Sequence, residues 1–182
     1  MKFEKQSIPE IVLIKPDKFL DHRGYFYEVF QKDKFTQFGI DLKIVQQNQS
    51  GSKKGILRGL HYQIQQPQGK LVRVLNGEIY DVAVDIRQSS ATFGNWLGLF
   101  LSGKDNFQLW IPAGFAHGFL VMSDWAEVMY STTDYYAPEY ERTLLWNDPD
   151  IAIQWPINEN FIPVLSQKDL LGKNLKNAEV YG

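Results

Sequence analysis

The 182-residue sequence contains no cysteine. Disulfides, thiol nucleophiles, zinc–thiolate sites and cysteine-ligated iron–sulfur clusters are thereby excluded. Histidine is scarce as well, so any imidazole chemistry falls to His22, His61 or His117. No stretch approaches the ~20 apolar residues of a membrane-spanning helix. The opening MKFEKQSIPEIVLIKPDKF has neither the apolar run nor the small-residue cleavage site of a signal peptide. The expectation is a soluble, cytoplasmic protein with no membrane partner. An excess of one charge is also missing: 19 Lys and Arg stand against 21 Asp and Glu, for a net charge of −2. That balance lacks the basic footprint of a general nucleic-acid binder. With no repeat, low-complexity tract or linker, residues 1–182 read as a single domain, able to bury about 70% of its extended-chain surface.

What the sequence does have is aromatic and β-branched residues in short runs. Strand-like segments fall at 56–64, 70–76, 78–85, 96–102, 107–112, 119–122, 127–133 and 143–146, separated by turn residues. Alternation puts Val72 and Val74 on one face and Leu71 and Arg73 on the other. Asn76-Gly77 predicts a hairpin between two of the runs, and Ser102 to Asn106 forms a second polar turn. Helix signals are few. Residues 32–38 allow two turns, with Phe35 and Phe38 on one face and Gly39 as the stop. Ser166 is placed to cap a short helix carrying Lys168 and Asp169, ended by Gly172. Many short strands with regular turns predict an antiparallel sandwich or barrel.

Each histidine lies within two residues of a glycine, near a predicted strand end. The pattern resembles small β-barrels of the cupin type, whose metal-binding members carry His-x-His, a downstream Glu and a later His after Pro-x-Gly. The element Pro112-x-Gly114-x-x-His117 is present. Gln63, however, stands where the second His would fall, and Lys70 where an acidic ligand would. An amide is a poor transition-metal ligand and an ammonium repels a divalent cation, so a metal-free site is expected.

Five further motifs carry a closer resemblance: Asp21-His-Arg-Gly-Tyr-Phe-Tyr-Glu28, Gly55-Ile-Leu-Arg-Gly-Leu-His-Tyr-Gln63, Gly69-Lys-Leu-Val-Arg-Val-Leu-Asn-Gly77, Thr133-Asp-Tyr-Tyr-Ala-Pro-Glu-Tyr-Glu-Arg142 and Trp146-Asn-Asp-Pro149. Together and in this order they resemble the dTDP-4-dehydrorhamnose 3,5-epimerase family, from about Phe3 to Leu171. The resemblance implies an all-β, cupin-type jelly-roll β-barrel with a few short helices, a homodimer, and no cofactor. It implies a dTDP-4-dehydro-6-deoxy-D-glucose substrate inverted at the two carbons flanking its C4 ketone. His61 matches the family's base, Asp169 the carboxylate that orients it, Lys70 the donor to the enolate oxygen and Tyr130 the acid on the opposite face. On this basis Asp169 is expected to raise the His61 pKa. Arg23, Arg58 and Lys168 match positions that hold the diphosphate and nearby groups; Tyr136 shares the strand parity of Tyr130 and is expected to stack on thymine. Glu28, Gln46, Gln47, Asn48, His117 and Glu141 match further contacts.

Three details depart from a simple fit. Arg58 and His61 have opposite parity on one strand, so both can face a pocket only if Gly59 permits a bulge. The family often shows Gln-Asp-Asn-His-Ser where this chain has Gln46-Gln47-Asn48-Gln49-Ser50, and Ser131 replaces a frequent lysine. The same base and acid would also serve a single-carbon epimerase of a related dTDP-4-keto sugar, and a non-catalytic sugar-nucleotide-binding cupin is the other alternative. For the homodimer, the apolar segment 2–14 is expected to add a strand to a partner's sheet.

Overall fold

The computed structural model describes residues 1–158 and 161–182. Its strands are β1 (Lys2–Lys5), β2 (Val12–Lys15), β3 (Lys18–Asp21), β4 (Gly24–Tyr27), β5 (Gln46–Lys53), β6 (Leu57–Gln63), β7 (Lys70–Asn76), β8 (Glu78–Asp85), β9 (Trp96–Ser102), β10 (Gln108–Ile111), β11 (Phe115–Val121), β12 (Trp125–Thr132) and β13 (Glu141–Thr143). Two short helices accompany them, α1 (Lys32–Gln37) and α2 (Gln167–Leu170). A six-stranded sheet runs β1-β2-β10-β7-β12-β5 and a five-stranded sheet runs β13-β6-β11-β8-β9. The two face each other as a jelly roll, while β3 and β4 form a separate hairpin.

The period-two reading of 70–76 holds, because both faces of β7 are covered. Val72 and Val74 point between the sheets with Ile79, Leu101, Leu109, Phe119 and Val128. Leu71 points outward, where α1 closes that face through fully buried Phe35, packed with Val12, Ile14 and Trp110. A six-residue helix is marginal alone; docking Phe35 holds it. The outer face of the five-stranded sheet is covered by the C-terminal segment. There Leu57, Leu60, Val82 and Val84 meet Trp155, Phe161 and Tyr181.

One turn prediction is corrected. Strands β7 and β8 flank Asn76-Gly77 but do not pair; β7 pairs with β10 and β12, and β8 with β9 and β11. Gly77 takes φ +77°, and a Cβ there would meet the Trp125 carbonyl oxygen at 2.1 Å. The turn therefore carries the chain from one sheet to the other instead of folding it back. The polar turn expected at 102–106 is present and also crosses between sheets, since β9 and β10 belong to different ones. Strands β3 to β5 were not legible as strands, and β11 starts four residues ahead of the predicted 119. Segment 2–14 does not lie free: β1 pairs with β2, and β2 with β10, of the same chain.

The inward positions of several strands change from apolar to polar at one end of the barrel. On β7 Val74 and Val72 give way to Lys70, on β12 Val128 gives way to Tyr130, and on β11 Phe119 gives way to His117. This polar end of the interior is the cavity described next.

Candidate active site

The cavity measures about 640 Å³, in the range that holds a drug-sized ligand. Its walls come from both sheets. The five-stranded sheet supplies Arg58, His61, Gln63 and His117. From the six-stranded sheet come Gln46, Asn48, Ser50, Lys70 and Tyr130. Tyr136, Glu141 and the segment Val164 to Asp169 complete it.

Arg58 and His61 both face inward because β6 carries an extra residue between them. His61 is opposite His117 and Arg58 opposite Phe119, so three steps on β6 match two on β11. Gly59 makes this possible: it has φ +117°, and a Cβ would lie 2.6 Å from the Cα of Gly118. The bulge required by strand parity is present.

His61 Nε2 lies 2.5 Å from Asp169 Oδ1, although the two residues are 108 positions apart. Asp169 is buried in α2. The Ser166 hydroxyl donates to Asp169 Oδ2 at 2.8 Å and accepts from the Asp169 amide at 3.2 Å. The helix cap thus also aims the carboxylate. Burial would raise the Asp169 pKa, but the hydrogen bonds from His61 and Ser166 prevail and hold it below the usual carboxylate range. At His61 the balance goes the other way: burial lowers the imidazole pKa more than Asp169 raises it. The expected upward shift is therefore overturned, since desolvation disfavours the imidazolium. With Asp169 ionised, Nε2 carries the proton and Nδ1 is the free base nitrogen.

Lys70 is 92% buried and donates from Nζ to the His61 carbonyl oxygen at 3.2 Å. Burial pushes its pKa down to about 8, against the pull of Asp81 and Glu141. It remains a cation at neutral pH. Tyr130 faces the cavity from the opposite wall to His61. Burial raises its phenol pKa, only partly offset by Arg58, so the proton is retained for donation.

A chain of contacts lines the outer end. The Tyr136 hydroxyl donates to Glu141 Oε2 at 2.7 Å, and Lys168 Nζ lies 2.5 Å from Glu141 Oε1. The hydrogen bond to Glu141 pushes the Tyr136 pKa up to about 12. The Tyr136 amide also donates to Gln46 Oε1 at 3.0 Å, while Gln46 Nε2 donates to Asn48 Oδ1 at 2.9 Å. His117 Nε2 lies 3.0 Å from buried Asp81. Asp81 was not anticipated; an acid within the apolar run 79–84 was its signal.

Three expected residues lie elsewhere. Gln47 points away from the cavity, because it alternates with Gln46 and Asn48, and it donates to Ser131 Oγ at 3.0 Å. Arg23 sits exposed at the β3–β4 turn, paired with Asp21 at 2.6 Å. Glu28 pairs with Lys34 at 2.6 Å. Neither lines the cavity of its own chain. His22, in the same turn, is also remote from it.

Gln63 donates to the carbonyls of Gln66 and Tyr135 and accepts from the Ala137 amide. At the position where metal-binding cupins place a ligand, this chain uses an amide to anchor a loop. Among the described residues no group of three His, Asp or Glu is arranged to hold a metal ion.

A sequence model of the dTDP-4-dehydrorhamnose 3,5-epimerase family matches residues 5–177. A dTDP-4-dehydrorhamnose 3,5-epimerase of Pseudomonas aeruginosa is 50% identical over 182 residues, covering 100% of this chain and 99% of the relative. Among solved structures, a dTDP-6-deoxy-D-glucose-3,5-epimerase from Legionella pneumophila in complex with dTDP-4-keto-L-rhamnose superposes with a TM-score of 0.93 at 50% identity, covering 98% of this chain and 94% of that one. A 3′-monoepimerase from Streptomyces bikiniensis in complex with dTDP-quinovose is more distant, at a TM-score of 0.87 and 35% identity, covering 94% of this chain and 86% of that one.

Proposed function

The chain belongs to the dTDP-4-dehydrorhamnose 3,5-epimerase family, and from that premise we propose that it converts dTDP-4-dehydro-6-deoxy-D-glucose to dTDP-4-dehydro-6-deoxy-L-mannose, toward dTDP-L-rhamnose. One observation carries the reading: the His61–Asp169 pair and the Tyr130 phenol stand on opposite walls of one cavity, with the Lys70 ammonium hydrogen-bonded to the His61 carbonyl.

Protons at C3 and C5 are acidic because the C4 carbonyl can take up charge as an enolate. His61 Nδ1 removes the proton from one face and becomes imidazolium, stabilised by Asp169. Lys70 donates to the developing enolate oxygen; a preorganised donor of this kind is worth about 3–4 kcal/mol. Tyr130 then gives its phenol proton to the carbon from the opposite face, and the configuration inverts. Solvent restores both groups before the second carbon reacts. Tyr136 supports stacking of the thymine, and Arg58, Lys168, Gln46, Asn48, His117 and Glu141 hold the remainder of the dTDP-sugar.

The reading requires no metal or organic cofactor: turnover should persist in a chelator. It treats residues 1–182 as one epimerase domain, working in the cytoplasm as a homodimer in which Arg23 and Glu28 reach the partner's cavity. The test is the reaction in deuterated water, followed by NMR. Deuterium at both C3 and C5 of inverted product is expected. Deuterium at one carbon only would make the protein a monoepimerase, and none at either would refute epimerisation.

A further inference from the structure

Residues 179–181 cross the outer face of the five-stranded sheet as a strap. The Tyr181 amide donates to the Ile86 carbonyl at 3.1 Å, and the Tyr181 carbonyl accepts from the Gln88 amide at 2.8 Å. Three further bonds reach β6 and β13. The Tyr62 hydroxyl donates to the Glu179 carbonyl at 2.5 Å, and the Tyr181 hydroxyl donates to the Gln63 carbonyl. Arg142 Nε donates to Glu179 Oε2 at 2.6 Å. We propose that Glu179 and Tyr181 are positioning residues for the nucleotide end of the cavity, an inference that rests on the epimerase reading above.

Strand alternation links the two faces of the sheet. On β6, the Gln63 side chain faces the cavity side and Tyr62 the strap; on β13, Glu141 faces the cavity and Arg142 the strap. Tyr62 stands opposite Arg142, and Gln63 opposite Glu141. Strap contacts and cavity contacts therefore lie one residue apart. Strand β13 has three residues and sits at the sheet edge, bonded to β6 alone. A short edge strand opens easily, and the bond from Arg142 to Glu179 ties down its outward side. Its inward side carries Glu141, which holds the Tyr136 hydroxyl and Lys168. Gln63 supplies a second path: its side chain bonds to Tyr135 and Ala137, on either side of Tyr136. Both paths end at Tyr136, where the thymine stacks. His61 depends on the strap less, because β6 is flanked there by β11 and β13 and the ring is held by Asp169.

The test is dTDP binding and turnover by the double variant Glu179→Ala with Tyr181→Phe, which removes two of these bonds and alters no side chain lining the cavity. dTDP should bind about 3–10-fold more weakly and KM should rise alike, with kcat within about twofold of wild type. Tyr181→Phe alone keeps the packed ring and should show a smaller loss of dTDP binding in the same direction. Glu179→Gln keeps an acceptor for Arg142 and should bind dTDP as wild type does. A lowered Tm with unchanged dTDP binding makes the strap purely structural and overturns the proposal. A fall in kcat with unchanged dTDP binding places its action on the base, and overturns it too. So does Glu179→Gln binding as weakly as the double variant, which would assign the effect to charge and not to position. Failure of the epimerase reading would register separately, as wild-type protein that binds dTDP but exchanges no deuterium into the substrate.

Discussion

At the scale of single residues, the proposed mechanism divides base, donor and acid among His61, Lys70 and Tyr130, and burial favours the neutral imidazole and the protonated phenol. His61→Asn keeps a polar side chain but cannot abstract a proton. Turnover should fall by about 10²–10⁴, with dTDP affinity little changed; deuterium exchange at the wild-type rate would show another residue to be the base. Tyr130→Phe should still exchange a substrate proton while failing to complete inversion. The pH profile follows from the shifts. Neutral imidazole is required, and burial lowers its pKa, so kcat/KM should fall on the acid side only below the ordinary value of about 6.5. The ammonium is required as well, so activity should fall again above the Lys70 pKa of about 8. Lys70→Arg, never deprotonated in this range, should remove the alkaline limb and leave the acid limb where it was.

Among the elements, β6 is the one whose irregularity makes the site. Without the bulge at Gly59, Arg58 and His61 would face opposite sides of the sheet. Gly59→Ala would place a methyl 2.7 Å from the His117 carbonyl oxygen, at a φ of +117°. A loss of about 2–4 kcal/mol is expected, read from denaturant unfolding, together with loss of turnover. Strand β5 shows the opposite case, in which irregular sequence leaves the site intact. Gln47 and Ser131, the positions where the family often has Asp and Lys, are cross-strand partners on the outward face. Their side chains bond to each other, so one polar pair stands in for another. The loop after β8 is fixed by buried Asp85, which accepts from Arg87, Ser90 and Thr92. Burial alone would raise its pKa, but these bonds bring it down to about 2. The folded-state value is below the unfolded one, so this stabilisation is complete above about pH 4 and should disappear as pH falls through about 2. Asp85→Ala should cost roughly 1–3 kcal/mol at neutral pH, because the Ser90 and Thr92 hydroxyls lose their acceptor while Arg87 keeps, of its two ion pairs, the one with Glu10.

For the whole molecule, the conspicuous feature is the β3–β4 hairpin. Phe19, Leu20, Tyr25 and Phe26 are 61–76% exposed, and they are paired so that both faces of the hairpin are apolar. A two-stranded hairpin is marginal by itself, and an exposed apolar patch of this kind marks an interface. Its turn carries Arg23, and the segment that follows carries Glu28. We propose this hairpin as the contact for a second copy of the chain; segment 2–14 pairs within its own sheet, where β1 is the edge strand. Phe19→Ser with Phe26→Ser should yield a monomer in sedimentation at micromolar concentration, with most activity lost because the partner's Arg23 and Glu28 are withdrawn. A double variant that remains a fully active dimer would place the interface elsewhere.

The class of fold and the chemical inventory follow from local sequence. The strands at 70–76, 78–85 and 96–102 have the expected bounds, because β-branched and aromatic runs ended by turn residues act locally. The short helices at Phe35 and Asp169 were legible from Gly39 and Ser166, which act within one turn. Motif resemblance named His61, Lys70, Tyr130 and Asp169. How these meet depends on long-range packing, since His61 and Asp169 are 108 positions apart. Asn76-Gly77 reads as a hairpin locally, yet which strands pair is settled by register across the two sheets. Strands β3 to β5 lack apolar alternation and are defined by their partners. The Asp169 carboxylate argued for a raised His61 pKa, but burial, a property of the whole packed cavity, outweighs that single neighbour.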